Sequence, residues 1–349
     1  MSNPTIRDVA QKAGVGIGTV SRVLNNSPLV NVNTRQRVLD AITELGFRPN
    51  SMARQLPRKQ RIHNIGVLTQ PFFSYRSFVE RLRGVQNGLN DSEHDYELVL
   101  YGISSMPHYQ ERLASIAQGG SVEALIIIDL ELSEEQKEML RQAKIPFAGI
   151  NHLQNQDWPC IGSNNVYGGR VATTHLVELG HRDIAYIGDD FFDPFGFLTS
   201  RERYQGYCEI MKEHQIPIKK NYFAVGHHDY DVARQLCHDM LNQAHPPTAI
   251  FAMSDIQALG CVAASREMGL RIPEDISIMG YDDLEISYHT NLTTVQQYLE
   301  LSGRVTIEYL IQHLKGGMNP PAPLPLPEVI TRQTTGVPRR IAVQAASQN

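Results

Sequence analysis

The sequence predicts a small all-α head followed by an α/β body of two doubly wound parallel-sheet lobes. Three observations carry that prediction. The first sixty residues hold amphipathic helical stretches and no strand-like run. Apolar runs then alternate with helical stretches in two consecutive sets. Charge divides where the pattern does: residues 1–61 hold ten Lys/Arg against three Asp/Glu, and the remainder holds 22 against 34. A basic head on an acidic body points to a polyanion confined to one end.

At 349 residues, 42% hydrophobic and 20% charged, the chain can form two or three domains with a sizeable core. It has no apolar run long enough to span a bilayer. Its first twenty residues lack the apolar centre of a signal peptide. A cytoplasmic location without membrane association is therefore expected. Cys160, Cys208, Cys237 and Cys261 are scattered, which fits reduced thiols rather than disulfides or a metal site.

In "TIRDVAQKAG" (5–14), Ile6, Val9, Ala10 and Ala13 recur at helical spacing. Thr5 with Asp8 makes a capping-box start, and Gly14 a stop. In "IGTVSRVLNN" (17–26), Val20, Val23 and Leu24 form one stripe, while Gly18, Ser21, Arg22 and Asn25 fall on the opposite face. In "TRQRVLDAITELG" (34–46), Val38, Leu39, Ile42 and Leu45 form another. The short glycine-containing join between the first two helices makes a helix-turn-helix, whose second helix enters the major groove. Arg22 suits bidentate reading of guanine. Thr5, Thr19, Ser21, Asn25 and Thr34 suit phosphate contacts. Ile17, at the stripe's edge, packs inward or touches a thymine methyl. Gly18 costs the helix about 1 kcal/mol relative to alanine. Either it lets the backbone approach DNA closely, or it simply shortens a marginal helix.

The stretches "TIRDVAQKAGVGIGTVSRVLNN" (5–26) and "TRQRVLDAITELGFRPNSMARQL" (34–56) resemble the DNA-binding head of the lactose/galactose repressor (LacI/GalR) family nearly continuously. The resemblance implies that Asn50–Leu56 is a hinge, helical when two subunits hold DNA together. Asn50 then belongs to the DNA-binding set, Ala53 makes the close hinge–hinge contact, and Leu56 is the wedge that opens a minor-groove step. Read alone, "NSMARQL" is helix-compatible but too short to be helical in water, and Pro49 and Pro57 bound it. Gly16 and Gly18 stand where family members more often carry serine and larger residues, so the family's operator sequence does not carry over.

In the body, "NIGVLT", "YELVLYG", "EALIIID" and "IPFAGIN" alternate with helical stretches, and "RDIAYIGD", "NYFAV", "TAIFAMSD" and "ISIMGYDD" do so again. Such runs read as strands buried on both faces of parallel sheets. The segments "HLVELGHRDIAYIG", "RERYQGY", "SDIQALG" and "IPEDISIMGYDDLE" extend the family resemblance, which implies a periplasmic-binding-protein-like architecture. On that basis the head spans 1–48, the hinge and linker 49–61, and a tail 341–349. The first lobe spans 62–160 plus 292–322, and the second 161–291 plus 323–340.

Ligands of such sheets bind outside the carboxyl ends of the strands. Those ends carry Asp129, Asn151, Asp189, Ser254–Asp255 and Tyr281–Asp282–Asp283. Asp282 and Arg203 are the foremost effector candidates, and match effector-contacting positions of the family; Ser254 and Gln297 follow by the same matching. Asp129 joins them from its strand end. Phe192, among Phe191, Phe195 and Phe197, is a stacking candidate, with Tyr75 and His228. Asp255 and Asp283 read as caps, and Trp158 receives no role.

No nucleophile elbow, zinc-protease motif, phosphate loop or dinucleotide fingerprint occurs. The pair His227–His228 lacks further ligands at metal spacing. No catalytic residue, metal or cofactor is expected. The sequence thus reads as a transcriptional repressor binding double-stranded operator DNA as a homodimer, under control of a sugar in the cleft. A purine or other non-sugar metabolite remains open as effector. A solute-binding receptor would have no use for Thr5–Leu56. The tail lacks leucine heptads, so nothing beyond a dimer is implied.

Overall fold

The computed structural model describes residues 5–24, 30–45, 63–70, 75–93, 95–150, 157–192, 195 and 198–339. Asn25, Asn50, Ala53, Leu56, Asn151 and Phe197 lie outside them. The chain divides into two compact units, residues 1–61 and 62–349.

In the head, α1 (Ile6–Ala13) starts on its capping box. The Thr5 N–H and Oγ1 donate to Asp8 Oδ2 at 2.6 and 2.7 Å. It stops where Gly14 turns left-handed at φ 63°, with the Val15 N–H returning to the Ala10 carbonyl, a Schellman closure that satisfies orphan carbonyls. The Gly16 carbonyl then accepts from Thr19 and Val20, opening α2 (Ile17–Leu24). For α3 (Val32–Leu45), Asn31 Oδ1 takes the Thr34 N–H at 2.8 Å. Val9, Ala10, Ala13, Val20, Val23, Val38 and Ala41 meet in one small core. Leu39, expected in that core, is 43% exposed. The inward stripe is Val38, Ala41, Ile42 and Leu45, the i, i+3, i+4, i+7 set, from which Leu39 falls about 100° away.

The body opens with β1 (His63–Thr69), α4 (Arg76–Asn90), β2 (Tyr96–Gly102), α5 (Met106–Gly119), β3 (Ala124–Ile128), α6 (Glu134–Gln142), β4 (Phe147–Ile150) and β5 (Cys160–Ile161). Its strands form a parallel sheet in the order β2-β1-β3-β4-β5. Next come α7 (Asn165–Glu178), β6 (Ile184–Asp189), α8 (Thr199–Glu213), β7 (Phe223–Gly226), α9 (Tyr230–Leu241), β8 (Ala249–Ala252), α10 (Asp255–Glu267), β9 (Ser277–Met279) and α11 (Glu285–His289). They give a second parallel sheet, β7-β6-β8-β9. Finally β10 (Thr294–Gln296), α12 (Leu299–Leu314) and β11 (Glu328–Ile330) follow, with β10 and β11 antiparallel.

Two expectations need correction. The quoted strands are not all buried on both faces: β2 and β7 are half-exposed edges, and Leu100 is 42% exposed. Residues 293–296, expected with the first lobe, lie with the second. Thr293 and Gln296 bridge Met279 and Asp282, and Val295 packs among Met279 and Tyr281. The chain recrosses only at Tyr298, in left-handed backbone at φ 59°, after which Val305, Ile307, Leu310 and Ile311 of α12 join the first lobe's core.

Helices α4 and α12 pack almost backbone to backbone. A Cβ on Gly84 would stand 1.8 Å from the Glu300 carbonyl oxygen, and one on Gly303 1.9 Å from the Arg81 carbonyl oxygen. Gly84→Ala is expected to force the two helices apart and destabilise the body by about 1–3 kcal/mol. Calorimetric unfolding, read as a fall of several degrees in Tm, checks this.

Candidate DNA-reading face and effector cleft

Helix α2 buries Val20 and Val23 and leaves the other face open. Gly18 and Arg22 are exposed, Thr19 and Ser21 half-buried. Ile17 is 46% exposed, which favours the outward of its two readings. A Cβ on Gly18 would meet open space, so nothing within the head requires glycine there. Thr5 is already engaged by Asp8, and Thr34 is half-buried in the first turn of α3.

The two sheets share a topological feature. In β2-β1-β3 the strand order reverses between β1 and β3, and in β7-β6-β8 between β6 and β8. At such switch points neighbouring connections leave on opposite faces and open a crevice at the carboxyl ends. Thr69 ends β1, Asp129 follows β3, Asp189 ends β6, and Ser254 stands just beyond β8. The polar strand-end residues therefore sit where the topology opens.

On the second-lobe side, Arg203 of α8 is 2% exposed. Its Nε donates to Asn165 Oδ1 at 3.1 Å, its Nη2 to Gln297 Oε1 at 3.3 Å, and its Nη1 to the Met253 carbonyl. The guanidinium lies 3.6 Å from Asp282 Oδ1 and 3.6 Å above the Tyr281 ring. Asp282 also accepts from the Gln297 amide. Burial pushes its carboxyl above the usual range, opposed chiefly by Arg203. The structure thus brings Arg203, Asp282 and Gln297 together, as expected.

Nearby, the His228 ring contacts both Asp189 oxygens at 3.0–3.1 Å, and Gln257 donates to Asp189 at 2.9 Å. Tyr75, which precedes α4 in the first lobe, stacks on His228 with ring centres 4.2 Å apart. This contact crosses from one lobe to the other. In the first lobe Asp129 lies 3.6 Å from Arg81 of α4. Arg81, Thr69, Asn165, Asp189 and Gln257 were not foreseen as site candidates. Asp189 was noted only as a strand end, and a guanidinium inside an amphipathic helix reads as a solvated residue until the helix is docked.

Two candidates are placed elsewhere. Phe192 is 88% exposed; Phe191 instead packs on Tyr204 and Phe223, and Phe195 against the first lobe's core. In the glycine- and proline-bearing run around them, alternation cannot say which ring turns inward. Ser254 caps α10, its Oγ accepting the Gln257 N–H at 3.3 Å, so its hydroxyl is largely spent. Asp283, expected as a cap, instead pairs with Arg332 at 2.6 Å. A cavity of about 340 Å³ borders Asp282, Asp283 and Tyr298. A somewhat larger one, about 390 Å³, lies by Pro146, Phe147 and Trp158 at the opposite, amino end of β4, away from these polar groups.

A helix-turn-helix unit in one chain with a two-lobed, polar-floored α/β body defines a DNA-binding transcriptional regulator. Residues 5–50 match the model of the bacterial regulatory proteins of the lacI family, and residues 173–335 a periplasmic binding protein-like domain. The HTH-type transcriptional regulator CelR of Thermobifida fusca is 32% identical, covering 93% of this chain and 95% of its own. The HTH-type transcriptional repressor PurR of Vibrio vulnificus (strain CMCP6) is 31% identical, covering 95% and 98%. Among solved structures, a CelR–cellobiose complex matches 95% of this chain and 99% of its own at 29% identity and TM-score 0.66. The lac repressor dimer bound to operator and the anti-inducer ONPF matches 96% and 100% at 27% identity and TM-score 0.68. The chain belongs to the LacI family.

Asp255 supports the cleft floor from below. It is fully buried, accepts from Thr294 Oγ1, and takes the Leu284 N–H at 2.8 Å. Burial, then the neighbouring Asp282 charge, pushes its carboxyl up to about 8. A raised carboxyl is protonated when folded and ionised when unfolded, so its contribution is complete at acid pH and is lost as pH climbs to about 8. Asp255→Asn mimics the protonated acid. We expect its Tm to match wild type near pH 4 and to exceed it increasingly toward pH 8, as checked by thermal unfolding across that range.

Proposed function

We propose that this regulator is a cytoplasmic repressor that binds a near-palindromic operator as a homodimer and responds to a sugar held between the body lobes. The observation carrying the sugar reading is a guanidinium–carboxylate pair on each side of the cleft. Arg203 lies 3.6 Å from Asp282, and Arg81 3.6 Å from Asp129. A fork donor beside a carboxylate acceptor matches adjacent hydroxyls, each of which donates and accepts. The CelR–cellobiose neighbour supports this reading. The stacked Tyr75–His228 pair favours a second one, a flat purine, as do the PurR relatives.

At the DNA end, Arg22 reads guanine, Gly18 lets the α2 backbone come close, and Ile17 touches a thymine methyl. Thr19 and Ser21 hold phosphates. Asn50, Ala53 and Leu56 serve the minor-groove hinge. One helix-turn-helix covers a single half-site, so two-fold operators call for two heads; the lac repressor neighbour is a dimer on its operator.

Binding-site selection from random duplexes, followed by gel-shift titration, supplies the test. Arg22→Ala is expected to lose about 5–150-fold of its preference for the selected site per half-site, since a bidentate base contact is worth about 1–3 kcal/mol. Its sugar-induced thermal shift should stay as in wild type. Asp282→Asn should keep selected-site affinity and lose the effector response. Stabilisation of wild type by purines alone would overturn the sugar reading.

A further inference from the structure

We propose that Thr69, Arg81 and Asp129 form a charge-neutral subsite on the first-lobe wall, which selects an uncharged polyhydroxyl group of the effector and rejects sugar acids and sugar phosphates. The inference deepens the sugar reading above and rests on it.

The three residues stand at one place. Thr69 ends β1, Asp129 directly follows β3, and the register pairs Thr69 with Ile128, so they adjoin across the switch point. Arg81 reaches them from α4. All three are buried, at 1% exposure for Thr69 and 5% for Arg81 and Asp129. Among the described residues, Thr69 Oγ1, Arg81 Nε and Asp129 Oδ1 have no hydrogen-bond partner. The Arg81–Asp129 approach, at 3.6 Å, is an ion pair beyond hydrogen-bonding distance. Asp129 holds this position in left-handed backbone, at φ 54°.

The opposite wall differs. Arg203 is as deeply buried, yet it donates to Asn165, Gln297 and the Met253 carbonyl. An unmet buried polar atom costs about 1–3 kcal/mol, and folded proteins pair most of them. Of the eight such atoms among the described residues, these three belong to residues that adjoin at one switch point, where a ligand is the partner that fits all three. Nε–H can only donate, Oδ1 can only accept, and the threonine hydroxyl does either. Neighbouring sugar hydroxyls satisfy all three. A carboxylate or phosphate would satisfy Arg81 but bring a second negative charge against Asp129. A cationic ligand meets the reverse conflict at Arg81. The wall therefore sorts by charge before it sorts by shape.

The full-length protein serves for the test, with calorimetric titration of cellobiose, glucose, glucuronate and glucose 6-phosphate. Wild type is expected to bind a neutral sugar at least roughly tenfold more tightly than either anion. Asp129→Asn leaves Arg81 uncompensated, and should weaken the neutral sugar and shift the ratio toward the anions by a similar factor. The double variant Arg81→Met/Asp129→Asn removes both charges and guards against misfolding of the single one; it should lose neutral-sugar affinity without gaining the anions. Wild-type preference for glucuronate or glucose 6-phosphate would overturn the proposal while leaving a sugar effector in place. So would neutral-sugar affinity and selectivity unchanged in both variants. A wild type stabilised by hypoxanthine and by no sugar would instead remove the reading on which it rests.

Discussion

A guanidinium can be buried only if the fold surrounds it with compensating groups, and Arg203 is where this body meets that demand. Desolvating an ion costs several kcal/mol unless charge and hydrogen bonds are returned. Here they return from separate pieces of chain: Asn165 at the start of α7, the Met253 carbonyl beyond β8, Tyr281 and Asp282 beyond β9, and Gln297 just before the chain recrosses. The residue thus fixes the floor of the second lobe and ties it to the segment that leads back to α12. Glycine cooperates with it. A Cβ on Gly169 would lie 2.1 Å from the Arg203 carbonyl oxygen, so α7 must come this close for Asn165 to reach the arginine.

The first lobe is built on the same topology but left incomplete. Its switch point has a cation and an anion held apart and an idle hydroxyl, whereas in the second lobe Arg203 has hydrogen-bond partners in Asn165, Gln297 and the Met253 carbonyl. A ligand can shift a conformational equilibrium only by binding one state better than the other. Groups already satisfied in both states contribute little to that difference. In the subsite proposed above, the unpaired wall supplies that difference, because it gains its partners when a ligand bridges the lobes. The Tyr75–His228 stack also joins the two lobes, so lobe separation must break it, and a ligand bridging the lobes as proposed would favour the same arrangement as the aromatic contact.

The sequence disclosed the layout because both periodicities were strong. Apolar runs end near Asp129, Asp189 and Asp282, so their place at the carboxyl ends of strands is legible in the sequence, and the head's stripes give α1 and α2 their buried faces. The failures were local. Leu39 is as hydrophobic as its neighbours yet lies off the inward stripe, which the smaller Ala41 completes. Phe192 stands in an irregular run where no period exists to orient a ring, and it faces solvent. The late crossing at Tyr298 depends on pairing between Gln296 and Asp282, a long-range contact with no local trace. Arg81 illustrates the hardest case: it is buried against Asp129 only once α4 is docked on the first lobe, a long-range packing that leaves no trace in its own helix.

The composition of the head bears on how such a cleft could govern DNA binding. Among the described residues its buried core side chains are valines and alanines, so little apolar area holds it together, and Gly18 weakens α2 further. A module of this kind cannot draw high affinity from an extensive rigid interface. Its hold on DNA comes from phosphate neutralisation, which is sequence-blind and salt-sensitive, plus a few base contacts. In the dimeric reading proposed above, two such heads bind as a linked pair, and the second contact is strengthened by the effective concentration the first creates. That gain depends on spacing. A body that alters how the two heads are presented need not touch the reading surfaces at all. A coupling of about 1–3 kcal/mol, which changes affinity by roughly 5–150-fold, is comparable to satisfying one or two of the idle groups on the first-lobe wall.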